Sequence, residues 1–147
     1  DKQRAKEWGA KGVPDNLEAQ AANHRFETVS LVSSFNEAAA LIQSGYSVAV
    51  CSNRGFTMTR DKDGFCAPDG TWMHAMKFDA VRWDRPGLCC IQSWGPNTPN
   101  GPIVKNQPGN SFWVDASVCD FMLRQRDSWT GAGKKGYIRK DIVTWSH

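Results

Sequence analysis

Residues 71–95 constrain the fold of this chain more than any other part of its sequence. They hold two runs rich in aromatic, β-branched and other apolar residues, 72–80 and 88–94, separated by Asp84-Arg85-Pro86-Gly87. Proline fixes φ and glycine permits positive φ, so the separator favours a turn between two strands. The pattern predicts an antiparallel β-hairpin.

The register of this hairpin determines which side chains meet across it. With a five-residue loop, His74 faces Gln92, because opposed positions in an antiparallel pair keep a constant index sum. With a tight turn around Arg85 and Pro86, His74 moves toward Gly95 or beyond, away from Gln92. The sequence leaves both registers open.

The flanking segments predict further strands and short helices. Ser34-x-x-Glu37 forms a capping box before a helix-forming run, and Gly45 stands where a glycine in the left-handed conformation ends a helix. Strands are predicted at 26–32, 46–51, 111–114 and around 137–143, and helices at 17–23 and 118–125. The sequence therefore predicts an α+β fold.

Composition limits the classes of function. A length of 147 residues with 40% hydrophobic content fits one domain with its own core. The formal charge of +3 is too small to favour nucleic-acid binding. No apolar run approaches the roughly 20 residues that cross a bilayer, so we expect a soluble protein with no membrane partner.

The five cysteines form no Cys-x-x-Cys pair and show no zinc spacing. No Asn-x-Ser/Thr acceptor site occurs, which favours a reducing compartment over an oxidising one. The Asp61-Lys62-Asp63-Gly64 turn has its glycine in the wrong place for a calcium loop. We therefore expect no metal and no cofactor.

His74-Ala75-Met76, followed after the hairpin by Gln92-Ser93-Trp94-Gly95, resembles the second half of papain-like cysteine peptidases. In that family the strand with the catalytic His, often His-Ala-Val, leads through a hairpin into Asn-Ser-Trp-Gly. The Asn orients the imidazole, and the Trp covers their hydrogen bond. Gln92 stands where the family has Asn and offers its amide oxygen one methylene further out. The chain is also loosely similar to papain-like proteins of phages and environmental bacteria.

The resemblance implies a half-barrel of antiparallel strands with short flanking helices. It implies a single domain over 1–147 with its core at about 26–114, and a connector at 1–25 from an N-terminal half. The implied catalytic residues are His74, as general acid and base, and Gln92, as the group that orients it. The implied supporting residues are Ser93, Trp94 and Gly95, and the implied apolar substrate pocket is lined by Ala49, Met73 and Ala75.

The nucleophile of such an enzyme is missing from the sequence. In the family it opens a helix of the first half, in a segment that this chain does not contain, whereas Cys51 ends a predicted strand and lacks the helix dipole that lowers a thiol pKa. The resemblance therefore implies an N-terminal half or a processed partner chain that carries the cysteine, and a peptide or protein substrate.

Two alternatives remain open at this point. The first is a papain-like scaffold without activity, acting as a structural or interaction component of a larger assembly such as a virion. The second is an unrelated small α/β binding module, which a hairpin register that separates His74 from Gln92 would indicate.

Overall fold

The computed structural model of the chain describes residues 2–133 and shows an α+β fold, as the sequence predicts. The helices are α1 (Lys2–Lys11), α2 (Glu18–Ala22), α3 (Phe35–Gln43) and α4 (Ala116–Leu123). The strands are β1 (Thr28–Leu31), β2 (Val48–Phe56), β3 (Pro68–Arg82), β4 (Gly87–Ile91), β5 (Ser111–Asp115) and β6 (Ser128–Ala132). The strand predicted around 137–143 lies outside the described residues.

The six strands form one sheet in the order β1-β6-β2-β3-β4-β5, and every neighbouring pair is antiparallel. The sheet is open rather than closed into a barrel. The predicted antiparallel sheet with short flanking helices is thus confirmed at this level. The long β3 strand lies near the middle of the sheet and carries His74.

Local sequence signals account for α3, the helix that follows β1. The Ser34 hydroxyl accepts a hydrogen bond from the Glu37 backbone N–H at 3.2 Å, and the Glu37 carboxylate in turn accepts one from the Ser33 backbone N–H at 2.9 Å. Gly45 follows the helix with φ of 87°, a conformation that glycine adopts without strain. The predicted capping box and glycine stop are therefore confirmed.

The main hydrophobic core lies between one face of the sheet and the helices α3 and α4. Side chains alternate along β3, so that Met76 and Phe78 enter this core while Met73 and Lys77 point to the other face and are exposed. A smaller cluster, formed by Phe65, Cys89 and Trp113 with partly buried neighbours, is separate from the main core. We call the face that carries α3 and α4 the helix face.

The observed hairpin register lies between the two that the sequence left open. Arg82 pairs with Gly87 around a four-residue turn, and a bulge between Phe78 and Ala80 then lowers the index sum by one, so that Phe78 pairs with Cys90. Continued along β3, this register places His74 opposite Trp94. The expected direct pairing of His74 with Gln92 is therefore wrong, because the turn over residues 83–86 is centred further along the chain than the loop over 81–85 that this pairing needs. The index sum is three higher at the turn, and the bulge lowers it by only one.

Candidate functional site

His74 lies on the helix face of β3, two residues before the core residue Met76, and pairs with Ser52 of β2. Its imidazole is half-buried, and Nε2 is buried without a hydrogen-bond partner in the described part of the chain. Within residues 2–133, Nδ1 makes no hydrogen bond and is not among the buried unpaired atoms. Burial lowers the pKa of His74 below its ordinary value, because it disfavours the charged imidazolium.

Two indole rings surround this imidazole. The ring of Trp94 stacks on His74 with centroids 4.6 Å apart and planes 15° from parallel. Trp72 meets His74 edge-on at 6.3 Å and meets Trp94 edge-on at 4.7 Å. Trp94 therefore covers one face of the imidazole, whereas the family resemblance implies that it covers a hydrogen bond between His74 and Gln92.

Sequence reasoning did not single out Trp72, although a signal for it exists. Residues two apart on a strand share a face, so the Trp72-x-His74 spacing places both rings on the helix face. Trp72 also contacts Phe56, whose ring contacts Phe112. The site is thus joined to the main core by a continuous series of aromatic contacts.

Gln92 shares the helix face with His74 and is its diagonal neighbour across the hairpin. Its amide, however, is used within its own loop: Oε1 accepts a hydrogen bond from the Trp94 backbone N–H, and Nε2 donates to the Thr98 carbonyl. The structure thus does not bring this amide to the imidazole. The amide of Gln92 instead closes the turn that carries Trp94. The side chain of Gln reaches this turn because it is one methylene longer than that of Asn.

Asn110 fixes the backbone of Gln92 from the other end of the same loop. The Gln92 N–H donates to the Asn110 carbonyl at 3.1 Å, and the Asn110 side-chain amide donates to the Gln92 carbonyl at 2.8 Å. Ser93 and Gly95 lie beside Asn110 and line a shallow pocket of about 300 Å³ together with Pro96 and Gly109. The two ends of the loop over residues 92–111 are therefore held together next to Trp94.

The residues expected to line an apolar substrate pocket lie on the other face of the sheet. Ala49 pairs with Lys77, and Ala75 pairs with Cys51, whereas His74 pairs with Ser52. Because successive side chains point to opposite faces, Ala49, Met73 and Ala75 face away from the His74 side. All three are exposed, Met73 at 87%.

The five cysteines are free thiols, and none of them has the environment of a nucleophile. Cys51 lies on the face opposite His74, and its pKa is raised by burial and by Asp127. Burial also raises the thiol pKa of each of the others, that of Cys66 to about 11. Cys51 does not meet His74 because it lies on the opposite face of the sheet, and its raised pKa disfavours the reactive thiolate.

The acidic turn that resembles a calcium loop is occupied by protein groups. Asp61 accepts hydrogen bonds from the backbone N–H groups of Asp63 and Phe65 and forms an ion pair with Arg85 at 2.7 Å. No group of three metal-ligating side chains occurs among residues 2–133. No helix in that range is both long enough and apolar enough to cross a membrane.

Neither a protein-family model, a curated protein nor a solved structure matches this chain.

Proposed function

We propose that this chain is the histidine-bearing half of a papain-like cysteine peptidase, in which His74 acts on a thiol supplied by a segment or chain outside residues 1–147. The observation that carries the proposal is the half-buried imidazole of His74, stacked under Trp94, whose Nδ1 makes no hydrogen bond within residues 2–133. The sequence motifs His74-Ala75-Met76 and Ser93-Trp94-Gly95 supply the resemblance that links this geometry to the peptidases.

The chemistry follows from the state of the imidazole. Because burial lowers its pKa, His74 is neutral at pH 7 and can take the proton of a thiol at Nδ1. The thiolate then attacks the carbonyl carbon of a peptide bond, and the imidazolium returns the proton to the nitrogen of the leaving amine. Water hydrolyses the resulting thioester with His74 again acting as base. No cofactor or metal enters these steps.

Trp94 supports this chemistry by keeping water from one face of the ring. Gln92 supports this chemistry indirectly, through Trp94, because its amide fixes the turn from which Trp94 extends. The proposal does not include Ala49, Met73 and Ala75 as the substrate pocket, since they face away from His74. The substrate class is a peptide or protein, with its side-chain preference left open.

Hydrolysis of fluorogenic peptides tests the proposal. The assay uses the complete protein whose gene encodes residues 1–147, under reducing conditions. His74→Ala is expected to lower kcat/KM by about 10²-fold or more, the usual contribution of a general acid and base. His24→Ala is the matched control, because His24 is exposed and lies outside the site. Hydrolysis equal in the His74→Ala variant and the unmodified protein would contradict the proposal.

Two observations favour other candidates. The hairpin register separates His74 from Gln92, which favours an unrelated small α/β binding module. The contacts of the Gln92 side chain favour a papain-like scaffold without activity. The amide of Gln92 bonds to its own loop, so no side chain among residues 2–133 accepts a hydrogen bond from Nε2 of His74. A peptidase gains from such an acceptor, because it fixes the tautomer of the imidazole. A folded complete protein that hydrolyses no peptide would support the scaffold instead.

A further inference from the structure

Arg60 lies in the loop that follows β2 and is a buried cation, with 4% of its surface exposed. It has no carboxylate partner among residues 2–133; its guanidinium donates instead to three backbone carbonyls. Nε donates to Ser111 at 2.8 Å, Nη1 to Gly101 at 2.8 Å and Nη2 to Gly109 at 2.5 Å. All three carbonyls belong to the 92–111 loop, that of Gly101 near its middle and those of Gly109 and Ser111 at its end.

The backbone of the same residue also holds this loop. The Arg60 N–H donates to the Asn100 carbonyl at 2.8 Å, and the Asn100 N–H donates to the Met58 carbonyl at 2.9 Å. Gly101 passes so close that an added Cβ would lie 2.9 Å from the Arg60 carbonyl oxygen, and its φ is +97°. The loop therefore packs closely against the backbone of Arg60 at Asn100 and Gly101.

A short series of hydrogen bonds joins this cation to Trp94. Arg60 holds the carbonyls of Gly109 and Ser111, which flank Asn110. Asn110 in turn fixes the backbone of Gln92, as described above, and the Gln92 amide accepts from the Trp94 backbone N–H. The ring of Trp94 then lies on His74.

We propose that Arg60 is a positioning residue for His74, which holds the 92–111 loop in the conformation that places Trp94 over the imidazole. The inference rests on the proposed function for its importance to catalysis. The positioning itself is a property of the chain and needs no thiol.

Lysine cannot replace arginine in this role. The guanidinium directs five N–H donors outward from a planar fork, whereas an ammonium presents its three donors from one nitrogen. Carbonyls that approach from Gly101, Gly109 and Ser111 need the fork. Arg60→Lys keeps the charge and removes the geometry, which makes it the informative substitution.

The test is the pKa of His74, measured by NMR titration of the full chain. Arg60→Lys is expected to shift it upward, toward the ordinary value of about 6.5, because a displaced Trp94 no longer keeps water from the ring. Val32→Ala is the control. Val32 is fully buried where β1 leads into α3, so its truncation lowers stability without touching the loop, and it is expected to leave the pKa of His74 unchanged.

If Arg60→Lys does not fold, a second variant is used for the same measurement of the pKa of His74. Gly101→Ala disturbs the same contact from the loop side and is expected to give the same upward shift. An unchanged pKa of His74 in either variant, while folded, would overturn the inference, and so would an equal shift in Val32→Ala. Loss of peptide hydrolysis is judged separately, so the proposed function can fail while the positioning role stands.

Discussion

At the scale of single residues, the half-buried imidazole of His74 stacks on the indole of Trp94, and its Nε2 is buried. Removing the indole by Trp94→Ala admits water to the ring, which relieves the cause of its lowered pKa. We expect the pKa of His74 to rise toward about 6.5 in this variant. Histidine NMR titration measures the change, and exposed His24 provides the internal reference. A pKa of His74 that stays low in Trp94→Ala would show that the indole does not desolvate it.

The lowered pKa of His74 also makes the free energy of unfolding of the chain depend on pH. Unfolded His74 takes a proton at about pH 6.5, before the folded residue does, so protons favour unfolding below that pH. The free energy of unfolding due to His74 is therefore unaffected above pH 6.5, falls as the pH drops, and levels off below the folded pKa. Denaturant titrations should show that His74→Gln loses this component and that His24→Gln keeps it.

Gln92 is a buried side chain whose two polar ends both bond to its own loop. Gln92→Ala leaves the Trp94 N–H and the Thr98 carbonyl without these partners, which we expect to cost about 1–3 kcal/mol of unfolding free energy. Gln43→Ala, at an exposed helical position, is the matched control and should change stability by less than about 0.5 kcal/mol. A Gln92→Ala variant as stable as the control would contradict this account of the turn.

At the scale of elements, α3 shows how a local signal fixes a helix start. Ser34→Ala removes the acceptor of the Glu37 N–H and should lower the free energy of unfolding by about 1 kcal/mol. Ser117→Ala is the control, since Ser117 is exposed within α4 and makes no cap. Urea denaturation distinguishes the two. Equal stability of both variants would mean that the Ser34 cap contributes nothing measurable.

The hairpin shows where sequence reasoning stops. Runs of aromatic and apolar residues and the Asp84-to-Gly87 turn signal were enough to predict two strands, because both signals are local. The register was not predictable, since it depends on the bulge between Phe78 and Ala80. That bulge places Phe78 in the main core and Ala80 against the smaller cluster, although residues two apart on a regular strand share a face, and this is a tertiary effect.

The loop over residues 92–111 marks the same limit for the site. The resemblance placed Trp94 over a hydrogen bond between His74 and Gln92, and the structure instead stacks it on the imidazole alone. The sequence did not reveal Arg60, because nothing local distinguishes a buried arginine that binds distant carbonyls from a solvated one. Gln92 was assigned to the imidazole from the resemblance and from one of two possible registers, whereas its amide bonds to backbone groups of its own turn.

At the scale of the whole molecule, the helices α3 and α4 and His74 lie on one face of an open sheet, while the opposite face exposes Met73, Ala75 and Trp129. The five thiols are either buried or, for Cys51, turned to the face away from His74. No thiol of this chain can therefore share a proton with that imidazole. The proposed chemistry needs a cysteine from elsewhere.

The most direct test is to label the complete protein with a peptide-based, cysteine-directed epoxide at pH 7 and to map the modified residue by mass spectrometry. We expect the label on a cysteine outside residues 1–147, with labelling lost in His74→Ala and kept in His24→Ala, and with Cys51, Cys66, Cys89, Cys90 and Cys119 unmodified in the folded protein. A label on one of those five cysteines, or labelling that His74→Ala leaves unchanged, would contradict the role given to His74.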